Sequence, residues 1–369
     1  MNDKKKILIV SGAFYPTISP RSFRTTELSK ELARQGHHVT VLIPKADINF
    51  NYKDFETKHH IEILSLGSSF WKELSFGKSS IIVLLRKIVS RILSYLIEYP
   101  NLQLMFLVKH VLKGLHGFDL LISIAVPYPI HWGVAISRNR NLLYKTWIAD
   151  CGDPYTGYGR KYFEKMFYLV HLTKYAFNKA NYISVPFIGA IKAYPNKYHR
   201  KIKIIPQGFN FSEINLHEGN IQHSIPTIAF AGAFIPDRRD IRPFINFLLE
   251  YEYEFKLIIY TKQKDFFLQY KNIFGTKLFL CDYIEREKLL YELSKMDFLI
   301  NLDNRNEIQL PSKIIDYALT KRPILSIDAY NLDRVLIAQF MEGNYQGQLK
   351  ININDYNINY VALSFLNLL

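Results

Sequence analysis

Short apolar runs alternate along this chain with longer stretches whose apolar residues recur at helical spacing, and that alternation leaves few folds open. Ile7-Leu8-Ile9-Val10 is apolar at every position, as a strand covered on both faces must be. Phe14 to Ile18 reads as a loop, Ser19 offers an N-cap, Pro20 suits the first helical position, and Leu28, Leu32 and Ala33 form one stripe. Gly36 closes that helix and Val39 to Ile43 supplies a second strand, completing a βαβ unit. The later part repeats the pattern, with strands over Thr227 to Ala231, Lys256 to Tyr260, Lys277 to Cys281, Phe298 to Leu302 and Ile324 to Ile327. Helices start near Asp240, Asp265, Glu285 and Pro311. Strands and helices in alternation predict parallel sheets with helices on both faces. Two such sheets in tandem, joined near Ile205-Pro206-Gln207-Gly208, predict a two-lobed α/β protein with a cleft between Rossmann-like lobes.

A length of 369 residues suits two domains at roughly 150 residues each. With 49% hydrophobic residues, both can bury ordinary cores, and disordered, collagen-like or disulfide-stapled architectures are excluded. The two cysteines, Cys151 and Cys281, form no CxxC pair and no histidines stand at HxxxH spacing, so a reducing compartment and no metal cluster are expected. Lys4, Lys5 and Lys6 before the first apolar run imitate a signal peptide, but the run ends at Ser11-Gly12, so a cytoplasmic first strand is expected. Charge is unevenly placed. Met1 to Asn215 holds 30 of the 47 basic and 14 of the 33 acidic residues, a net of +16, while the rest holds 17 and 19, a net of −2. Such a division points to an acidic partner of the first part: a membrane surface, nucleic acid or a phosphorylated substrate. No nucleic-acid recognition motif accompanies the charge, so no nucleic-acid partner is expected. Ser80 to Leu96 interleaves apolar residues with Arg86, Lys87 and Arg91, with Lys78 just before. That pattern fits a basic helix lying on a membrane or an ordinary core-facing helix.

In open parallel sheets, ligands gather beyond the carboxyl ends of the strands, where helix N-termini point. Leu310-Pro311-Ser312-Lys313-Ile314-Ile315-Asp316-Tyr317 has the features of such a place. Pro311 suits the first turn, the N–H groups of Ser312 and Lys313 would be free for a phosphate, and Lys313 adds a point charge. Asp316 lies three residues on, on the same face, where a carboxylate can accept from two vicinal ribose hydroxyls. The same residues also fit a surface helix with an i,i+3 ion pair.

That stretch, closing on Lys321-Arg322-Pro323-Ile324-Leu325, resembles the donor-site signature of GT-B glycosyltransferases, in the family-four-like group that builds bacterial surface polysaccharides such as capsule or lipopolysaccharide. Further stretches agree in order: Phe14-Tyr15-Pro16 to Arg24, Gly36 to Val41, Asp150-Cys151-Gly152-Asp153-Pro154-Tyr155, Ile204 to Phe209, and Ala229-Phe230-Ala231-Gly232. The resemblance implies a donor site of Gly232, Arg238, Gln309, Pro311, Ser312 and Asp316, with Lys313 and Arg239 stabilising the departing diphosphate. Tyr283 and Ile284 lie where family members hold the nucleotide base, and equally fit a capping turn. Three departures stand out. Asp316 takes the second place of the family's paired glutamates while Ile308 occupies the first, between Glu307 and Gln309. Ala233 replaces an arginine, and Ser19-Pro20 replaces a glycine pair.

Asp150 and Asp153 follow the strand-like Thr146 to Ala149, at its carboxyl end. They are candidates to orient an acceptor hydroxyl or take its proton, and Asp153-Pro154 also fits a turn. The resemblance implies a retaining transfer in which the donor's leaving phosphate is the base, so neither Asp need be a nucleophile. Ser19, Arg21, Arg24 and His131 are acceptor-side candidates; the arginines fit a phosphate contact or a solvated face, and His131 fits an acceptor or a structural role. The domains expected are an acceptor-side lobe over 1–207, a donor lobe over 208–355, and a segment over 356–369 packing back on the first. The function expected is metal-independent transfer from a nucleotide-sugar, a co-substrate and not a cofactor, to a lipid-linked or polysaccharide acceptor at the inner face of the cytoplasmic membrane. A sugar-nucleotide epimerase of the same fold and a degenerate sugar-nucleotide-binding subunit are the alternatives.

Overall fold

The computed structural model describes residues 3–44, 50–72, 74–75, 80–137, 140–155, 165–219, 223–234, 240–303 and 312–369. The chain divides into two compact units, Met1–Phe209 with Asp355–Leu369, and Asn210–Asn354.

The first unit runs β1 (Lys6–Ser11), α1 (Pro20–Arg34), β2 (His38–Ile43), α2 (Lys53–His59), β3 (Ile61–Ser65), α3 (Ser80–Ile97), α4 (Gln103–Leu112), β4 (Phe118–Ala125), α5 (Pro129–Ile136), α6 (Arg140–Leu143), β5 (Tyr144–Cys151), α7 (Phe167–Lys179), β6 (Tyr182–Val185) and β7 (Ile202–Ile204). Its sheet has the order β3-β2-β1-β4-β5-β6-β7, parallel throughout. Leu8 and Val10 enter the apolar cluster on one face, Ile7 and Ile9 that on the other. Every residue of the run is therefore buried, which is why it carries no polar alternation. α1 starts as its sequence dictates: the Ser19 side chain accepts from the Ser22 N–H at 3.1 Å, Pro20 follows, and Gly36 leaves the helix at φ +91°.

The second unit runs β8 (Thr227–Ala231), α8 (Arg242–Leu249), β9 (Lys256–Tyr260), α9 (Leu268–Phe274), β10 (Leu278–Cys281), α10 (Arg286–Leu293), β11 (Phe298–Leu302), α11 (Ser312–Leu319), β12 (Ile324–Ile327) and α12 (Arg334–Met341). The strands order as β10-β9-β8-β11-β12, again all parallel. Ile228 and Phe230 feed one core, Ala229 and Ala231 the other. The small alanines let α11 approach that second face, and Tyr317 is buried there.

A last helix, α13 (Ile358–Leu366), belongs to the first unit and packs on α1. Phe365, Val361 and Ala362 share the cluster that holds Leu28, Leu32 and Ile205. Where the chain leaves and re-enters this unit its two strands meet: Phe209 N–H donates to Tyr356 O at 2.7 Å and Ile358 N–H to Phe209 O at 3.0 Å. Gly208 has to be glycine, because a Cβ there would lie 2.4 Å from Ile358 Cδ1 and 3.0 Å from Ile358 Cα.

Each sheet has one place where the order of strands reverses, between β1 and β4 in the first unit and between β8 and β11 in the second. Chains diverging to opposite faces open a crevice at such a point.

Candidate active site

In the second unit the crevice is bounded by the end of β8 and the start of α11. Lys313 and Asp316, one turn apart, lie on the face of α11 nearest that strand end. Lys313 Nζ donates to Ala231 O at 2.7 Å, and stands 3.7 Å from where a Cβ on Gly232 would be. Gly232 itself is buried, and a Cβ there would also meet Phe230 Cζ at 3.1 Å, so glycine lets the ammonium and the Phe230 ring both close on the end of β8. Tyr317 holds the helix in place: its hydroxyl accepts from Ala231 N–H at 2.8 Å and donates to Ala231 O at 3.2 Å. Burial pushes the Tyr317 phenol well up, so it stays protonated.

Asp316 is half-buried and gripped from α10, with Arg286 Nε 2.8 Å from Oδ1. Burial raises its carboxyl above the usual range, and the charges of Arg286 and Lys313 pull it partly back. Neither Arg286 nor the anchoring role of Tyr317 was read from the sequence. Tyr317 stood inside the motif without a role of its own, and Arg286 opens a helix thirty residues earlier with nothing to mark its partner.

Tyr283 is exposed in the turn after β10, with Lys262 Nζ 4.5 Å from its ring centroid, and Ile284 beside it is half-buried. An exposed aromatic face beside a cation suits stacking on a base. Arg238, Arg239, Gln309 and Pro311, and the side chain of Ser312, lie outside the described residues.

In the first unit the candidate residues meet at the carboxyl ends of β5 and β6, but several have other employment. Arg24 Nε and Nη2 donate to Asp150 Oδ2 and Oδ1 at 3.0 and 2.9 Å. Arg24 also donates to Ile205 O at 3.2 Å and to Pro206 O, and Ser184 Oγ donates to Asp150 Oδ1 at 2.6 Å. Both partners are about 4% exposed. The reading of Asp150 as an acceptor-side acid or base, and of Arg24 as a phosphate contact, is therefore corrected. Their polar atoms are spent on a buried brace that ties α1 and β5 to the chain at 205–206. Burial pushes the Asp150 carboxyl up, but the Arg24 charge and the Arg24 and Ser184 hydrogen bonds outweigh it, and the net shift is downward.

His131 is corrected too. It is fully buried, with Nδ1 2.7 Å from Ser123 Oγ and Nε2 3.4 Å from Cys151 Sγ. Burial brings its pKa to about 3 against a partial offset from Asp150, and pushes the Cys151 thiol up to about 12. A neutral imidazole beside a neutral thiol is a packing pair, out of an acceptor's reach. Ser19 spends its hydroxyl oxygen on the α1 cap.

Two residues remain at the surface. Arg21 Nη2 is 3.2 Å from Asp153 Oδ2, and Asp153 is more than half exposed. Their approach requires Gly152, since a Cβ there would fall 1.7 Å from both terminal Arg21 nitrogens. Tyr128 O–H donates to Asp153 O at 2.6 Å, which fixes the turn. Among the described residues no three His, Cys, Asp or Glu side chains come together as a metal site.

No protein-family model matches the chain, and no curated protein matches it. Solved structures do, along almost the whole length. Anabaena Alr3699/HepE in complex with UDP-glucose is similar at 11% identity and a TM-score of 0.58, over 98% of each chain. The lipopolysaccharide outer core galactosyltransferase WaaB is similar at 11% and 0.56, again over 98% of each. A S. aureus TarM variant in complex with fondaparinux, α-GlcNAc-glycerol and UDP is similar at 13% and 0.56, over 99% of this chain and 92% of that one. The chain has the GT-B fold. At such identities the GT-B likeness concerns backbone and topology, so the residues of the site have to be argued from their own chemistry.

Proposed function

We propose that this chain is a glycosyltransferase of the family-four-like group, moving a sugar from a nucleotide-sugar to a saccharide or lipid-linked acceptor at the inner face of the cytoplasmic membrane. The observation that carries the reading is the face of α11: an ammonium held at the end of β8 beside Gly232, with a carboxylate one turn on, at the switch point of a parallel sheet. A nucleoside diphosphate needs that order of groups, cation for phosphate and paired acceptors for ribose. That HepE was crystallised with UDP-glucose and TarM with UDP and a glycerol glycoside supports a nucleotide donor and a glycosidic product.

In the retaining course, the bond between the anomeric carbon and the diphosphate oxygen breaks and the acceptor oxygen bonds on the same face. The hydroxyl proton passes to the departing phosphate. Lys313 would stabilise the charge that develops there, without a metal. The commitment of both Asp150 oxygens to Arg24 and Ser184 favours this course over one with Asp150 as nucleophile.

Calorimetry with UDP and GDP tests the donor site. Lys313→Ala should weaken binding roughly ten- to hundredfold, since a charge-assisted contact contributes about 1.5–3 kcal/mol. Unchanged affinity, with an unchanged melting temperature, would overturn the assignment. A second reading, a nucleotide-sugar-binding subunit without transferase activity, is favoured by the engagement of Lys313 with Ala231 and of Asp316 with Arg286. Donor binding without hydrolysis or transfer to any acceptor would select it.

A further inference from the structure

The sequence leaves α3 with two readings, and burial separates them. Elsewhere in the first unit an amphipathic helix hides its stripe: Leu28 and Leu32 of α1, and Leu104, Val108 and Leu112 of α4, are all buried. In α3 no residue from Ile81 to Ile97 is buried, although the helix is built mostly of Ile, Leu and Val. Ile81 is 73% exposed, Leu84 59%, Ile92 51% and Ile88 47%. At 3.6 residues per turn Ile81, Leu84, Leu85, Ile88, Ile92 and Leu96 fall on one side, an arc of roughly 120°. Arg91 and Lys87 border that arc on one flank and Arg86 stands beyond the other. Lys78 lies outside the described residues.

The helix is held at one end. Tyr168 O–H donates to Leu96 O, Tyr155 O–H donates to Glu98 Oε1 at 2.8 Å, and Lys165 pairs with Glu98. Trp71 stands 5.8 Å from the ring of Tyr99 just beyond. So α3 is anchored to the unit through its carboxyl end while its apolar side is left bare.

We infer that α3 is a membrane-docking element, which lies along an anionic lipid bilayer with its Ile81–Leu96 side among the acyl chains and Arg86, Lys87 and Arg91 at the phosphates. Length and charge exclude a span: 18 residues rise about 27 Å with three cations among them, and no described helix is long and apolar enough to cross a membrane. A bare apolar face bordered by cations, on a stretch of chain with net charge +16, is complementary to a surface apolar within and anionic without. Docking through α3 rests on the membrane location in the proposed function and names the element that would provide it, while using neither donor nor acceptor, so vesicle binding and nucleotide binding can fail separately.

The test is co-sedimentation of the full chain with vesicles of phosphatidylcholine alone and of phosphatidylcholine mixed with phosphatidylglycerol, at low and high salt. The expected result is preferential recovery on the anionic vesicles, falling as salt shortens the screening length from about 10 Å at 0.1 M towards 3 Å at 1 M. Replacing Arg86, Lys87 and Arg91 together by Gln should lower partition by roughly 10- to 100-fold, on about 1 kcal/mol for each cation near the surface. Ile88→Glu should remove the binding that survives high salt. Leu84→Glu is the alternative should that variant fold poorly, and melting temperatures check both. Equal recovery on the two vesicle types, recovery on neither, or binding untouched by these changes overturns the inference. So does a concentration-dependent dimer that Ile88→Glu dissociates in the absence of lipid binding, which would make a second copy of the chain the occupant.

Discussion

Arg24 and Asp150 lie 126 residues apart in the chain and meet through two hydrogen bonds of 3.0 and 2.9 Å in the interior of the first unit. The pair joins the first helix to the fifth strand, and through the Ile205 and Pro206 carbonyls to the segment that leads out of the unit. Phe365 of α13 caps it, with the Arg24 guanidinium 5.2 Å from the ring centroid.

Removing one member strands the other. Arg24→Met and Asp150→Leu should each destabilise the first unit by about 3–5 kcal/mol, the usual cost of leaving a buried charge unpaired. The double variant should cost less than the sum, since neither charge then remains. Urea unfolding of the three variants checks this, and full additivity would show that the pair is not coupled.

The same pair sets an acid limit. The Asp150 carboxyl sits below its ordinary value in the folded state, because Arg24 and Ser184 outweigh the effect of burial. A depressed carboxylate contributes stability that is complete above the unfolded value, about 3.9, and is lost as pH falls through the folded one. Melting temperature should therefore drop on acidification below about pH 4, and Asp150→Asn should lose that part of the dependence.

The strands were legible because a run such as Ile7 to Val10, apolar at every position, can only be covered on both faces, and Ala229 and Ala231 mark where a helix comes close. Lys313 and Asp316 share a face by spacing alone. What could not be read is partnership at long range: nothing near Arg24 names Asp150, and nothing near Asp316 names Arg286. His131 fitted an acceptor or a structural role from its neighbours in sequence, because its burial is decided by Ser123 of β4 and Cys151 of β5, which its local sequence does not mention. For α3 the periodicity showed an apolar side but not what, if anything in the chain, covers it.

Tyr317 serves as the clamp of the donor-site helix, and its hydroxyl is the partner of a buried backbone N–H. Tyr317→Phe should cost about 1–3 kcal/mol, the penalty for an unsatisfied buried group, and loosen donor binding less than Lys313→Ala does. Denaturation and UDP calorimetry on the same samples separate the two effects. A stability loss near zero would mean that Ala231 finds another acceptor.

Gly152 permits the Arg21–Asp153 contact by its missing side chain. Gly152→Ala should push the guanidinium aside, which a flexible side chain allows at little cost, so a loss under about 1 kcal/mol is expected for so exposed a pair. Arg21→Ala should behave alike, and combining the two should add little. A large loss from Gly152→Ala alone would show that the backbone, and not Arg21, is what the methyl displaces.

Asp316 brings structure and proposed chemistry together. Its carboxyl is raised by burial and drawn back by Arg286 and Lys313. A raised carboxyl favours the folded state most below its unfolded value, and this contribution is lost as pH rises through the folded one. Ribose binding has the opposite dependence, because only the carboxylate offers acceptors to two hydroxyls. UDP affinity should thus weaken as pH falls through the raised value. Arg286→Met, which removes a charge that lowers it, should move that midpoint upward. Asp316→Asn should bind weakly at all pH values without the midpoint, and should discriminate less between UDP and 2′-deoxy-UDP. If the Asn variant kept both the pH dependence and the discrimination of the parent, another group would be reading the ribose, and Arg286 and Asp316 would be a brace between α10 and α11 of the same kind as Arg24 and Asp150.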